Sequence, residues 1–119
     1  QVWTSGQLPF IDGRLPLTGK VGAEVTQEAA TDAARTAALN ALAAAAAVAG
    51  GIDAITRIVK VVVYVASEAS FTAQPAVAGG ASTVLGEIFG EAGVHVRSAV
   101  GVAVLPLDSP VEVELVVEA

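Results

Sequence analysis

The chain has 119 residues, 54% of them hydrophobic and only 15% charged, with a formal net charge of −6, one histidine and no cysteine or methionine. That length suits one domain with a real core, and no uninterrupted apolar run reaches the roughly 20 residues of a membrane-spanning helix. Disulfides and thiolate chemistry are excluded, and the six cations, Arg14, Lys20, Arg35, Arg57, Lys60 and Arg97, are too scattered to track a phosphate backbone, so neither nucleic acid nor membrane is an expected partner.

In chain order, Gln1 to Ser5 reads as the end of a strand, followed by turn-rich sequence at Asp12-Gly13 and Thr18-Gly19. The chain opens at Gln1 without a methionine, which implies a leading segment ahead of it. Nothing resembles a signal peptide, so the cytoplasm is the expected compartment. From Gln27 to Ala49 the pattern is helical, with Thr26 as N-cap, Glu28 and Asp32 near the positive end of the dipole, and Gly50-Gly51 as terminator. Its run of alanines favours the helix and lets it approach a sheet closely.

Ile55 to Val65 is dense in β-branched residues and reads as a central strand. A second helix is expected to open near Pro75, which a first turn tolerates, and to reach Phe89-Gly90; Gly79-Gly80 and Gly86 either weaken it or mark close packing. Two strands follow, Ser98 to Val104 and Val111 to Val117. The order β, α, β, α, β, β predicts an α+β sandwich, two helices on one face of a mixed sheet. With only five aromatic residues the core must be built from small aliphatic side chains, and such a subunit gains from burying surface against copies of itself.

If the last two strands form a hairpin with Leu105 opposite Pro110, then Val100, Val102 and Val104 share the helix side with Leu115, Val113 and Val111. The other side would carry Arg97, Ala99, Gly101 and Ala103 beside Glu112 and Glu114, a second packed surface. In that register Arg97 lies opposite Glu118 and roughly 20 Å from Glu112, so one small ligand could touch both only if two subunits supplied them.

Several pieces in order, Ser5-Gly6-Gln7-Leu8-Pro9, Gly19-Lys20-Val21, Ala34-Arg35 to Ala49-Gly50-Gly51, Ile58-Val59-Lys60 with Val63-Tyr64-Val65, Arg97-Ser98-Ala99-Val100, Leu105-Pro106 and Val111-Glu112-Val113-Glu114, together resemble the RidA/YjgF family. The resemblance spans almost the whole chain. It implies a chorismate-mutase-like α+β fold, a homotrimer with the sheets facing its centre, and three sites in clefts between subunits. It also implies hydrolysis of reactive α-imino or enamino acids to the keto acid and ammonia, with no cofactor and no metal.

By position, Arg97 matches the family arginine that grips the substrate carboxylate, a role suited to a planar and permanently charged fork. Glu112 matches the acidic residue that positions the attacking water. Ser5 and Gly6 match pocket positions, and Ala99 matches a position usually occupied by cysteine, whose backbone N–H contacts the ligand. The chain departs from the pattern in three places. It begins downstream of the family's pocket tyrosine, its Phe71 to Val96 stretch is long, and His95 replaces a residue that is usually proline.

His95 has no Cys, Asp or Glu at ligand spacing, which argues against a metal. No Ser stands in a Ser, His, Asp pattern, and Gly-Gln-Leu-Pro is not a phosphate loop. The expected activity is therefore the hydrolytic deaminase. The alternatives are a non-catalytic or regulatory trimer that binds a small carboxylate and, disfavoured by the acidic balance, a ribonuclease.

Overall fold

The computed structural model describes residues 1–119. Helix α1 spans Gln27–Ala49; Thr26 caps it by accepting from the Ala29 amide at 3.1 Å, and Gly50 ends it in the left-handed conformation that glycine adopts without strain. Its buried stripe is Ala30, Ala33, Ala34, Ala37, Ala38, Ala41, Leu42 and Ala45. These small side chains bring the helix axis close to its neighbours, and the volume of the core comes from Val, Ile and Leu of the strands. Helix α2 spans Gln74–Phe89, has Pro75 in its first turn, and buries Val77, Ala78, Ala81, Val84 and Leu85. A Cβ at Gly80 would lie 2.0 Å from the Thr31 carbonyl oxygen of α1, whereas nothing stands within 4 Å of one at Gly79. Of the two glycines, Gly80 is the one that the helix pair requires.

The sheet comprises β1 (Val2–Trp3), β2 (Arg57–Ala66), β3 (Val96–Val102) and β4 (Val111–Glu118), in the order β1-β4-β2-β3. Both helices pack on one face of this mixed sheet, as the element order predicts. The β2–β3 pair is parallel and the other two pairs are antiparallel. The helix-covered face holds Ile58, Val61, Val63 and Val65 from β2 and Val111, Val113, Leu115 and Val117 from β4, all at most 1% exposed.

The expected β3–β4 hairpin does not form. The connection between them contains a short 3₁₀ turn, Pro106–Asp108, with Leu107 and Asp108 at positive φ, and the chain re-enters the sheet on the far side of β2. There Ala66 N–H donates to the Pro110 carbonyl at 2.9 Å. The apolar β2 takes the centre because both of its neighbours bury it, and α2 carries the chain over to place β3 on the outer edge.

This placement inverts the expected faces of β3. Arg97, Ala99 and Gly101 pair with Val61, Val63 and Val65, so they lie on the helix side. Ser98, Val100 and Val102 lie on the uncovered side with Val62, Tyr64, Glu112 and Glu114. Glu118 pairs not with Arg97 but with Arg57, whose guanidinium it meets at 3.1 Å, and Val104 lies beyond the strand, 66% exposed.

Gly80→Ala is expected to lower stability by about 1–3 kcal/mol through overpacking against Thr31. Gly79→Ala should be neutral, or stabilising by up to about 1 kcal/mol from helix propensity. Urea midpoints of the two variants check this contrast, and equal midpoints would contradict it.

Candidate functional site: two clusters on opposite faces of the sheet

The first cluster lies on the uncovered face. Pleat alternation along β4 turns Val111, Val113 and Leu115 inward to the helices, and thereby turns Glu112 and Glu114 outward, opposite Tyr64 and Val62 of β2. The Tyr64 hydroxyl donates to Glu114 Oε1 at 2.9 Å. Residues 4–7 run along the free edge of β4. Thr4 N–H donates to the Leu115 carbonyl at 2.9 Å, its Oγ1 accepts from Leu115 N–H at 3.0 Å, and Gln7 and Val113 exchange both backbone bonds at 2.8 and 2.9 Å. This strapping sets Gly6 directly against Glu112, where any Cβ would collide with the carboxylate. Ser5 is next to it and exposed, its carbonyl accepting from the Gln7 side-chain amide at 3.4 Å.

Partial burial raises the Glu112 carboxyl above the usual carboxylate range, and the neighbouring Glu114 charge raises it further. The Tyr64 hydroxyl is also raised, first by its hydrogen bond to Glu114, then by burial and by the charges of Glu114 and Glu112. Glu112 is thus a half-dehydrated carboxylate with a readily held proton, suited to orienting a water and moving a proton.

The second cluster lies at the other edge, on the helix side, where β3 begins. Arg97 is exposed, has no carboxylate within ion-pair distance, and donates from Nη1 to Ser82 Oγ of α2 at 3.2 Å. The same Oγ lies 2.9 Å from His95 Nε2, and His95 Nδ1 lies 2.6 Å from the Gly93 carbonyl oxygen. Ala99, two residues along, packs against the core.

Of the five residues expected at the site, the fold brings Ser5, Gly6 and Glu112 together and holds Arg97 and Ala99 apart from them. Arg97 stands on the rung of Val61 and Glu112 on the rung of Tyr64, with β2 between their strands. Three rungs and two strand spacings separate their backbones by about 14 Å, and the side chains leave from opposite faces. The separation is shorter than the hairpin register gave, yet no small molecule bridges the two within one chain.

Sequence reasoning missed the Ser82–His95 contact. The two residues sit on different elements, and the group that orients the imidazole is a backbone carbonyl, which no residue type announces. No three or more His, Asp or Glu side chains are grouped to hold a metal ion. The largest cavity, about 440 Å³, opens at the C-terminal ends of β2 and β3, lined by Lys20, Ser67, Glu68, Phe71 and Gln74 among others; none of the five expected residues reaches it.

Comparison with known proteins identifies the class. The family model described as "YjgF/chorismate_mutase-like, putative endoribonuclease" matches residues 1–119, and the chain belongs to this family. It is 44% identical over 119 residues to Protein TCP17 of Trypanosoma cruzi, covering 99% of this chain and 74% of that protein. The crystal structure of Atu1372 from Agrobacterium tumefaciens, a protein of unknown function, is similar with a TM-score of 0.94 and 40% identity over 98% of this chain and 74% of that one. Escherichia coli TdcF, crystallised with bound serine, is similar with a TM-score of 0.64 and 25% identity, over 98% of this chain and 80% of that one. No helix is long and apolar enough to cross a membrane.

The raised Glu112 carboxyl has a consequence for stability. A group whose folded pKa lies above its unfolded value, 4.5 for this carboxyl, contributes stability fully present below 4.5 and lost as pH rises through the folded value. Glu112→Gln removes that penalty, so the variant should melt higher than the unmutated chain near about pH 7, and the gap should close as pH falls towards 4.5. Thermal melts across this range check it, and a variant that melts lower at neutral pH would contradict it.

Proposed function

We propose that the chain is a hydrolytic deaminase of small α-imino or enamino acids, assembled as a homotrimer whose sites lie between subunits. The observation that carries this reading is the pairing of two incomplete halves. The β3 edge of the sheet presents a guanidinium without a carboxylate, and β4, two strands across, presents on the other face a half-dehydrated carboxylate cradled by Gly6. Each is what the other lacks, and they can share a small ligand only across a contact between copies.

The uncovered face gives a reason for such contacts. Trp3, Val96 and Val100 are 72, 64 and 43% exposed there, beside Val62 and Tyr64, an apolar surface that association would bury. A closed three-fold arrangement is the reading that family membership supports.

In the assembled site Arg97 of one copy binds the substrate carboxylate through the guanidinium hydrogens that Ser82 leaves free. Glu112 of a neighbouring copy orients water towards the imine carbon and takes its proton. Ser5, Gly6 and the backbone N–H of Ala99 fix the ligand. A protonated imine is already electrophilic, so positioning and a proton shuttle suffice. TdcF holds an amino acid with the same α-carboxylate such a clamp would grip. Against a ribonuclease stand the net charge of −6 and the absence of any basic track.

Freshly generated iminopropanoate tests the reading. The unmutated chain should accelerate pyruvate formation. Arg97→Ala forfeits two charge-assisted hydrogen bonds of about 1.5–3 kcal/mol each, so kcat/KM should fall about 100-fold or more. Keto-acid binding without turnover would instead establish a small-carboxylate binder. RNA cleavage that survives Arg97→Ala would mark another site.

A further inference from the structure

The contacts of Ser82 are unusual for a hydroxyl inside a helix. Such side chains commonly return their proton to the carbonyl four residues back, as Thr31 does to Gln27 at 2.8 Å and Thr36 to Asp32 at 3.3 Å. Ser82 instead faces β3 and meets His95 Nε2 at 2.9 Å.

The partners assign the protons of the neutral ring. The Gly93 carbonyl can only accept, so in the neutral imidazole His95 Nδ1, at 2.6 Å from it, carries the ring hydrogen and Nε2 presents its lone pair. Arg97 can only donate, so Ser82 Oγ accepts from Nη1 and directs its own proton to Nε2. The chain of contacts runs from a backbone carbonyl to an imidazole to a hydroxyl, with a guanidinium beside the hydroxyl oxygen. A base within hydrogen-bond reach of a nucleophile, itself oriented by a third group, is the arrangement that activates a serine.

The third group is built in. Gly93 is buried, and a Cβ there would lie 2.6 Å from the Leu85 carbonyl oxygen, so only glycine lets this turn close onto α2 and set its carbonyl under the imidazole. Ser82 and His95 are half-buried while Arg97 is exposed, and Val94 and Val96, 73 and 64% exposed, flank the histidine in sequence. The cluster is partly dehydrated at Ser82 and His95 and reaches solvent through Arg97.

We propose that Ser82 is a nucleophile activated by His95 and that it accepts acyl groups from small activated esters or thioesters carrying a carboxylate, with Arg97 recognising that carboxylate. The site shares Arg97 with the deaminase reading but needs neither Glu112 nor a second copy, so acylation of Ser82 is tested independently of that reading.

The step balances without a cofactor. Ser82 Oγ forms a bond to the acyl carbon as its proton passes to His95 Nε2. The bond from that carbon to the leaving oxygen or sulfur breaks, and the leaving group takes the proton from Nε2. Water then attacks the acyl-serine, gives a proton to Nε2, and releases the acid as Ser82 Oγ recovers that proton. The guanidinium stabilises the negative charge that develops beside it. A contact that merely tied α2 to β3 would show none of this reactivity.

Two probes test the proposal on the full chain, p-nitrophenyl acetate and the hemisuccinate ester of p-nitrophenol, with peptide mass spectrometry to locate the adduct. The expected result is an acyl group on Ser82, formed faster from the hemisuccinate, absent in Ser82→Ala, and formed about 100-fold or more slowly in His95→Gln, which keeps a hydrogen bond but accepts no proton. The preference for the hemisuccinate should vanish in Arg97→Gln.

Circular dichroism establishes that each variant is folded; should His95→Gln fail, His95→Asn replaces it. Mapping in the unmutated chain decides the matter independently of any variant. No acyl group on Ser82 in samples acid-quenched during turnover, or acylation at an unchanged rate without His95, would overturn the nucleophile. Equal rates for the two esters would overturn the carboxylate recognition.

Discussion

The pleat of the sheet is the constraint on which the rest depends. Once Val61, Val63 and Val65 of β2 are buried under the helices, every neighbour on the same rungs inherits a face. Arg97 is carried to the helix side at one edge, and Glu112 to the uncovered side across the sheet. Shifting β4 by one residue would exchange its buried Val111, Val113, Leu115 and Val117 with solvent, so the core holds the face of Glu112, whereas β3, none of whose residues is buried, takes the face of Arg97 from its parallel pairing with β2. The proposed site, whose two principal groups leave opposite faces of the sheet, would have to be completed by a second copy of the chain.

The uncovered face has the matching property. It carries apolar side chains from three strands around Glu112 and Glu114, and Tyr64 ties one carboxylate in place. Packing against another copy would dehydrate Glu112 further and push its carboxyl in the direction already taken here. In the proposed assembly, the same surface would therefore couple packing to the protonation of Glu112.

Much of the fold was legible wherever the signals were local. Thr26 and Gly50 bound α1, Pro75 marks the start of α2, and the β-branched run announces β2, because capping, proline geometry and side-chain branching act within a few residues. The partner of β3 was not legible. Two apolar strands joined by the short Leu105 to Pro110 loop read as a hairpin, and what overrides that reading is the demand of β2 for a neighbour on each side. The face of Arg97 was lost with the pairing.

The grouping of Ser5, Gly6 and Glu112 was visible only through the family motif. The Ser82–His95 contact was invisible because it forms between elements and is oriented by the Gly93 carbonyl. A close approach leaves a glycine in the sequence, but a carbonyl in the right place leaves no trace.

The most direct test of a site shared between copies is to mix two inactive chains. Arg97→Ala and Glu112→Gln, unfolded together and refolded as a mixture, would place an intact Arg97 opposite an intact Glu112 in about a quarter of the sites of a randomly assembled cyclic oligomer. The account predicts recovery of about that fraction of the unmutated iminopropanoate hydrolysis. A mixture as inactive as its two components, beside an active unmutated chain, would contradict it.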